Sequence, residues 1–112
     1  MDLRLTVRYR ADTTIVACVG RLVYGEEAAS LRARVKGLIA QGAKSIFLDL
    51  AGVRFLDSGA LGVLTGLHMS ARQANCHFRL VNLTPRTTKL LQTTNLINFF
   101  DIETTIPVPR SA

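Results

Sequence analysis

The feature that most limits how this chain can fold is a regular alternation between short apolar, β-branched runs and longer segments with helical periodicity. A strand is predicted over residues 14–19, where such a run ends at Gly20. Further strands of the same character are predicted over residues 45–50 and 77–81. Because strands that alternate with helices build largely parallel sheets, this alternation favours an α/β fold.

Three helices are predicted between and after these strands. The first begins at Glu26, because acidic residues favour a helix N-terminus, and it ends near Gly42. The second covers about residues 57–74. The third covers about residues 84–95, where a Thr-Pro pair suits an N-cap and a first helical turn.

Two more strands complete the predicted sheet, one over residues 3–9 and a short one over about residues 99–102 or slightly beyond. Since only residues 10–13 join the first two strands, these should pair as an antiparallel hairpin. The predicted fold is therefore α/β, a mixed β-sheet with helices packed mainly on one face. It is expected to form a single domain over residues 1–112, with residues 107–112 as a loose tail.

The periodicity also predicts core positions and raises a question about two glycines. Five side chains are expected to be buried: Leu31, Val35, Leu48, Leu61 and Leu64. Gly62 and Gly66, inside the second helix, each cost about 1 kcal/mol relative to alanine. Close packing of that helix against a neighbour is the expected reason.

Composition narrows the class of protein. The 112 residues can bury a core without a metal or disulfide, and no apolar run approaches the ~20 residues of a membrane span. There is no apolar signal segment, and Cys18 and Cys76 lack metal-ligand spacing. These features predict a reduced, cytoplasmic protein with no cofactor, metal or membrane association.

The net charge of +6 comes mostly from arginines that are scattered along the chain, without a basic run or interleaved aromatic residues. Nucleic-acid binders concentrate such charge on one face, so direct binding to nucleic acid is not expected. The charge instead indicates a general preference for acidic partners.

The most informative segment runs from Leu48 to Leu64 and contains Asp57-Ser58-Gly59 at the predicted start of the second helix. Free backbone N–H groups and the positive end of the helix dipole gather at such a position. It suits a negative charge, including a phosphate attached to the serine itself. From the residues alone, the favoured interpretation is that Asp57 or Ser58 simply caps the helix, because caps of this kind are common.

This segment resembles the signature of the STAS family, and in particular of bacterial anti-sigma factor antagonists, in which an apolar strand is followed by Asp, Ser or Thr, small residues, Leu-Gly and a helix. Two further stretches are similar to the family in order and spacing. They are Gly20-Arg21-Leu22 and the series Leu83-Thr84-Pro85, Leu90-Leu91, Thr94-Asn95-Leu96. The resemblance covers nearly the whole chain.

The resemblance implies a protein that catalyses nothing and binds an anti-sigma factor that is also a serine/threonine kinase. That kinase would phosphorylate Ser58, and a phosphatase would reset the cycle. The implied partner-binding residues are Val23, Tyr24, Asp57, Ser58, Gly59 and Leu61. The free protein is expected to be a monomer, because no long apolar stripe remains once the helices are packed.

Two departures from the family pattern keep an alternative open. Val23 stands where the family often has an acidic residue, and the small residues after Ser58 follow a different order. The alternative is a STAS interaction or scaffold module that is never phosphorylated.

Hydrolysis is not expected, because Ser58 lacks a nucleophile-elbow context and His68 lies ten residues, or ~15 Å, along the same predicted helix. His77 is an ordinary polar position on the same reasoning.

Overall fold

The structure is a computed structural model that describes residues 1–106, so the predicted tail of residues 107–112 lies outside the described part. Five strands form one sheet in the order β1-β2-β3-β4-β5. They are β1 (Leu3–Arg10), β2 (Thr13–Leu22), β3 (Ser45–Leu56), β4 (His77–Val81) and β5 (Asp101–Glu103). β1 pairs antiparallel to β2 and the other neighbouring pairs are parallel, which confirms the predicted mixed sheet.

Three helices alternate with the parallel strands: α1 (Glu26–Ala40), α2 (Ser58–Gln73) and α3 (Pro85–Thr93). Leu31 of α1, Leu64 of α2 and Leu91 of α3 are buried in one core cluster together with Leu48 and Leu80 of the sheet. The helices therefore cover the same face, as crossovers of a single hand require when the strand order never reverses. The α/β fold is confirmed, and the five predicted core residues are at most 2% exposed.

The opposite face of the sheet has no helix against it within residues 1–106. A small buried cluster lies at its centre: Ile15, Phe47 and Val81, with Ile106 packed against them. Nearer the carboxyl ends of the strands, Arg21 of β2 is the register partner of Phe55 of β3. Both side chains point to this helix-free face, because the next residues, Leu22 and Leu56, belong to the core on the helix side.

β3 is longer than the sequence predicts, and its extra length positions the functional motif. The strand predicted over residues 45–50 continues to Leu56, because pairing with β2 resumes beyond a register shift. Gly52 permits this close approach, since a Cβ atom there would lie 2.9 Å from Val19 Cγ2. β3 thereby leads directly into Asp57 and the first turn of α2.

The last strand begins two residues later than predicted, at Asp101. The preceding Phe99 and Phe100 pack instead around His68 of α2, with ring centroids 4.9 and 5.7 Å from the imidazole. Within residues 1–106, none of the helices is both long enough and apolar enough to span a bilayer.

The prediction that Gly62 and Gly66 permit close helix packing is wrong. Both residues lie on the exposed side of α2, and a Cβ atom at either position would meet no atom within 4 Å. Their cost in helix propensity is therefore not offset by any packing contact among the described residues.

Candidate functional site

The site lies where β3 ends and α2 begins. Asp57 has extended backbone (φ −101°, ψ 170°) and is the N-cap of α2, and its Oδ1 accepts a hydrogen bond from the Ala60 N–H at 2.8 Å. Ser58 is the first residue of the helix, and its side chain is exposed. This confirms the predicted serine at the exposed start of the second helix. It also decides between the two cap candidates in favour of Asp57.

The Asp57 carboxylate also holds the loop between β2 and α1. The Tyr24 N–H donates to Asp57 Oδ1 at 3.0 Å and to Oδ2 at 3.1 Å. The preceding residue, Val23, is tied to α1, because its carbonyl oxygen accepts the Ala28 N–H at 3.0 Å. One side chain thus joins the loop to the start of α2, so Asp57 acts as a structural cross-link as well as a cap.

Tyr24 packs directly over Gly59. A Cβ atom at position 59 would lie 2.6 Å from Tyr24 Cβ and 2.9 Å from Tyr24 Cγ, closer than two carbon atoms can approach without movement. Only a residue without a side chain allows this contact. Tyr24 is nevertheless 73% exposed, so it lies on the surface at the start of α2.

The surroundings of Ser58 suit a negative charge on its hydroxyl. Ser58 and Gly59 are the first two residues of α2, where backbone N–H groups have no acceptor within the helix. The positive end of the helix dipole lies at the same place. Chemically, the arrangement can accept a phosphate on Ser58 without disturbing the buried core.

Five of the six predicted partner-binding residues come together here, and one does not reach the surface. Tyr24 and Ser58 are exposed, whereas Val23, Asp57 and Gly59 are half-buried. Leu61 is only 2% exposed and belongs to the core cluster. Its inclusion among the direct partner contacts is therefore corrected: one turn into α2 its side chain points inward and supports the site from beneath.

Sequence reasoning missed a cluster of exposed side chains next to the motif. Phe55 is 40% exposed, and the guanidinium carbons of Arg21 and Arg86 lie 5.7 and 5.9 Å from the centre of its ring. These distances are in the range of cation–π contacts. The sequence signal that could have identified this cluster was Phe55 itself, a large aromatic residue two positions before Asp57, on the side of β3 opposite the core-facing Leu56.

The two histidines take no part in this site. His68 is in the middle of α2 among Phe78, Phe99 and Phe100, and its Nδ1 has no hydrogen-bond partner in the described part of the chain. His77 Nδ1 lies 2.7 Å from the Arg79 guanidinium, which can only donate, so this nitrogen is the acceptor. Neither histidine pairs with Ser58 in a nucleophile–base arrangement.

The two cysteines are buried and provide no reactive thiol. Burial, reinforced by the nearby Asp49 carboxylate, raises the pKa of the Cys18 thiol to about 12. Burial likewise raises the pKa of Cys76. Both side chains are therefore neutral thiols near neutral pH and behave as small apolar groups.

A comparison with protein-family models matches residues 4–108 to the STAS domain. Among solved structures, a putative anti-sigma factor antagonist from Thermotoga maritima is similar with a TM-score of 0.80 and 26% sequence identity. The match covers 91% of this chain and 87% of that one.

The fold is also that of the anti-sigma factor antagonist SpoIIAA, which has been solved in two states. The unphosphorylated form matches with a TM-score of 0.74 and 21% identity, over 90% of this chain and 89% of that one. The phosphorylated form of the Bacillus protein matches with a TM-score of 0.69 and 21% identity, over 90% of this chain and 92% of that one.

Proposed function

The chain belongs to the STAS domain family, and from this premise we propose that it is an anti-sigma factor antagonist. In this proposal it binds an anti-sigma factor that is also a serine kinase, and phosphorylation of Ser58 ends the binding. The chain is a substrate of the kinase and not itself an enzyme, and a phosphatase returns it to the binding state.

The observation that carries the proposal is the placement of Ser58. It is exposed at the first position of α2, next to an aspartate whose carboxylate already accepts hydrogen bonds from Tyr24 and Ala60. A kinase can reach the hydroxyl without unfolding the cap, because the cap is the neighbouring residue. Modification would therefore change the surface and leave the helix in place.

A phosphate at this position has a direct physical effect on docking. It adds about −1.5 to −2 charges beside the carboxylate of Asp57. A partner that buries this surface must remove both groups from water, and unpaired or like charges at a buried interface cost several kcal/mol. Binding is then lost although the fold is unchanged.

The comparisons support this proposal at the level of the fold. The Thermotoga maritima protein is described as a putative anti-sigma factor antagonist. SpoIIAA is described as an anti-sigma factor antagonist in one structure and as phosphorylated in another. The same overall fold therefore exists in an antagonist that occurs with and without phosphate.

One residue favours a second candidate function, a STAS interaction module that is never phosphorylated. Val23 is half-buried and apolar in the loop that Asp57 holds, at the position where the family often has an acid. Without that acid, the chain would still present Tyr24 and Ser58 to a partner but would lack one contact for a kinase. Constitutive binding is the expected behaviour in that case.

Phosphotransfer separates the two candidates. The purified chain would be incubated with ATP, Mg²⁺ and each anti-sigma factor kinase of its source organism, followed by mass spectrometry of the intact chain and its peptides. We expect one phosphate, at Ser58, in the wild type and in a Ser70→Ala control on the same helix, and none in Ser58→Ala. A kinase that binds the chain without modifying it would establish the constitutive module instead.

A further inference from the structure

We propose that Arg21, Phe55 and Arg86, here called the arginine–phenylalanine stack, form a docking site for an acidic patch on the protein partner. The inference rests on the proposed function and deepens it, because it states the chemistry of the partner surface. Phe55, the ring that both arginines contact, lies two residues before the Asp57-Ser58 motif, so one partner can cover the stack and the motif together.

The three side chains come from three different elements. Arg21 and Phe55 are register partners near the ends of β2 and β3, and Arg86 is in the first turn of α3. All three are exposed. The fold therefore brings two guanidinium groups to one aromatic ring that remains accessible to solvent.

The position of Arg86 is unfavourable for its own helix. The first turn of α3 contains no acidic residue and carries Arg86 where the helix dipole is positive, although cations are favoured at the opposite end. Local helix stability therefore does not explain an arginine here. Its contact with the Phe55 ring, and the surface that it forms with Arg21, provide a reason for it.

Both arginines of the stack have their charge available for a partner. The ion pairs in the described part of the chain join Arg54 to Asp2 and Arg79 to Glu103, and neither involves Arg21 or Arg86. Arg21 does act on Glu27, but the pKa of that acid is lowered mainly by the hydrogen bond from the Asp2 N–H. Two cations without an ion-pair partner favour an acidic partner surface, because opposite charges attract across an interface. The exposed ring adds to this, since arginine and aromatic residues are enriched among the residues that contribute most to binding.

An acidic partner also explains why one phosphate would be sufficient to end binding. In the unphosphorylated state, carboxylates of the partner would face Arg21 and Arg86. A phosphate on Ser58, three residues after Phe55, places about −1.5 to −2 charges next to the same approaching carboxylates. The two arginines of the stack would attract the carboxylates of the partner, and a phosphate on Ser58 would repel them.

The first test measures binding to the purified kinase that modifies Ser58, by calorimetry at low and at high salt. The Arg21→Gln/Arg86→Gln double variant should bind at least about tenfold more weakly at low salt and lose most of the salt dependence of the wild type. Arg72→Gln, an exposed arginine in the last turn of α2, is the matched control and should bind within about twofold of the wild type. Circular dichroism verifies that each variant is folded.

Equal affinities for the double variant and the control would overturn the inference while the switch at Ser58 stands. Absence of phosphotransfer would instead overturn the proposed function, and a second test then applies. A short polyglutamate peptide, titrated into the full chain, should shift the NMR signals of the Nε–H groups of Arg21 and Arg86 more than that of Arg72. Equal shifts at all three arginines would overturn the inference without reference to any kinase.

Discussion

The carboxylate of Asp57 accepts the backbone N–H of Tyr24 through both of its oxygens, at 3.0 and 3.1 Å. These residues are 33 positions apart in the chain, yet this contact fixes the loop after β2 against the N-terminus of α2. Together with the Ala60 N–H, the carboxylate has three hydrogen bonds from two segments. The position of the Tyr24 loop relative to Ser58 therefore depends on the side chain of Asp57.

Asp57→Ala is expected to destabilise the protein by about 1–2 kcal/mol, because it removes the helix cap and the two bonds to Tyr24. Urea unfolding measures the loss, and the NMR signal of the Tyr24 amide should move toward its position in a mobile loop. Asp57→Asn keeps an oxygen acceptor for the N–H groups and is the control, with a loss below about 0.5 kcal/mol. Equal losses of stability in both variants would show that the hydrogen bonds of Asp57 do not account for the destabilisation.

Substitutions at Ser58 distinguish an effect on partner binding from an effect on folding stability. Ser58→Ala should bind the kinase as the wild type does but accept no phosphate, whereas Ser58→Asp should bind at least about tenfold more weakly, because it adds a second acid beside Asp57. The free energy of unfolding should change by less than about 1 kcal/mol in either variant, since Asp57 and not Ser58 caps α2. Calorimetry and thermal unfolding measure the two effects, and unchanged affinity in both variants would contradict the switch.

The parts of the site that could be read from the sequence are those that depend on local chemistry. Asp57 as an N-cap followed by Ser58 is one example, and Thr84 is another, since its side chain accepts the Thr87 N–H at 3.1 Å. Capping needs only the residue type and a position before a periodic segment. The α/β class was also predictable, because it follows from the alternation of strands and helices. The helices lie on one face because the strand order never reverses, which the alternation alone does not determine.

The parts that could not be read depend on contacts between distant segments. The Tyr24 loop meets Asp57 only because β2 and β3 end side by side, beyond a register shift that the sequence does not reveal. The Phe55 ring meets Arg86 only after α3 has folded back beside the sheet. Helical periodicity predicts Leu61 as a core residue and the family resemblance implies it as a partner contact, and only the folded structure shows that its side chain is buried.

Alkaline pH should reduce stability through Cys18, which is fully buried and whose pKa is raised by burial and by Asp49 to about 12. Above the ordinary thiol pKa of about 9, the unfolded chain loses this proton and the folded chain keeps it, so stability falls by at most about 1.4 kcal/mol per pH unit. Urea unfolding at about pH 8 and about pH 10 measures the slope. Cys18→Ala is less stable at both values but should lose this part of the slope, and an unchanged slope would refute the assignment.

Gly59→Ala should weaken partner binding although it replaces glycine with the best helix former. The new Cβ atom would lie 2.6 Å from Tyr24 Cβ, so the loop must move away from the start of α2. Gly62→Ala is the matched control on the same helix, where a Cβ atom meets nothing within 4 Å. The control should gain about 1 kcal/mol in stability and keep its affinity, whereas Gly59→Ala should gain less and bind several-fold more weakly. Denaturant unfolding and calorimetry measure both quantities. Equal behaviour of the two variants would mean that Tyr24 does not need its place over Gly59 for binding.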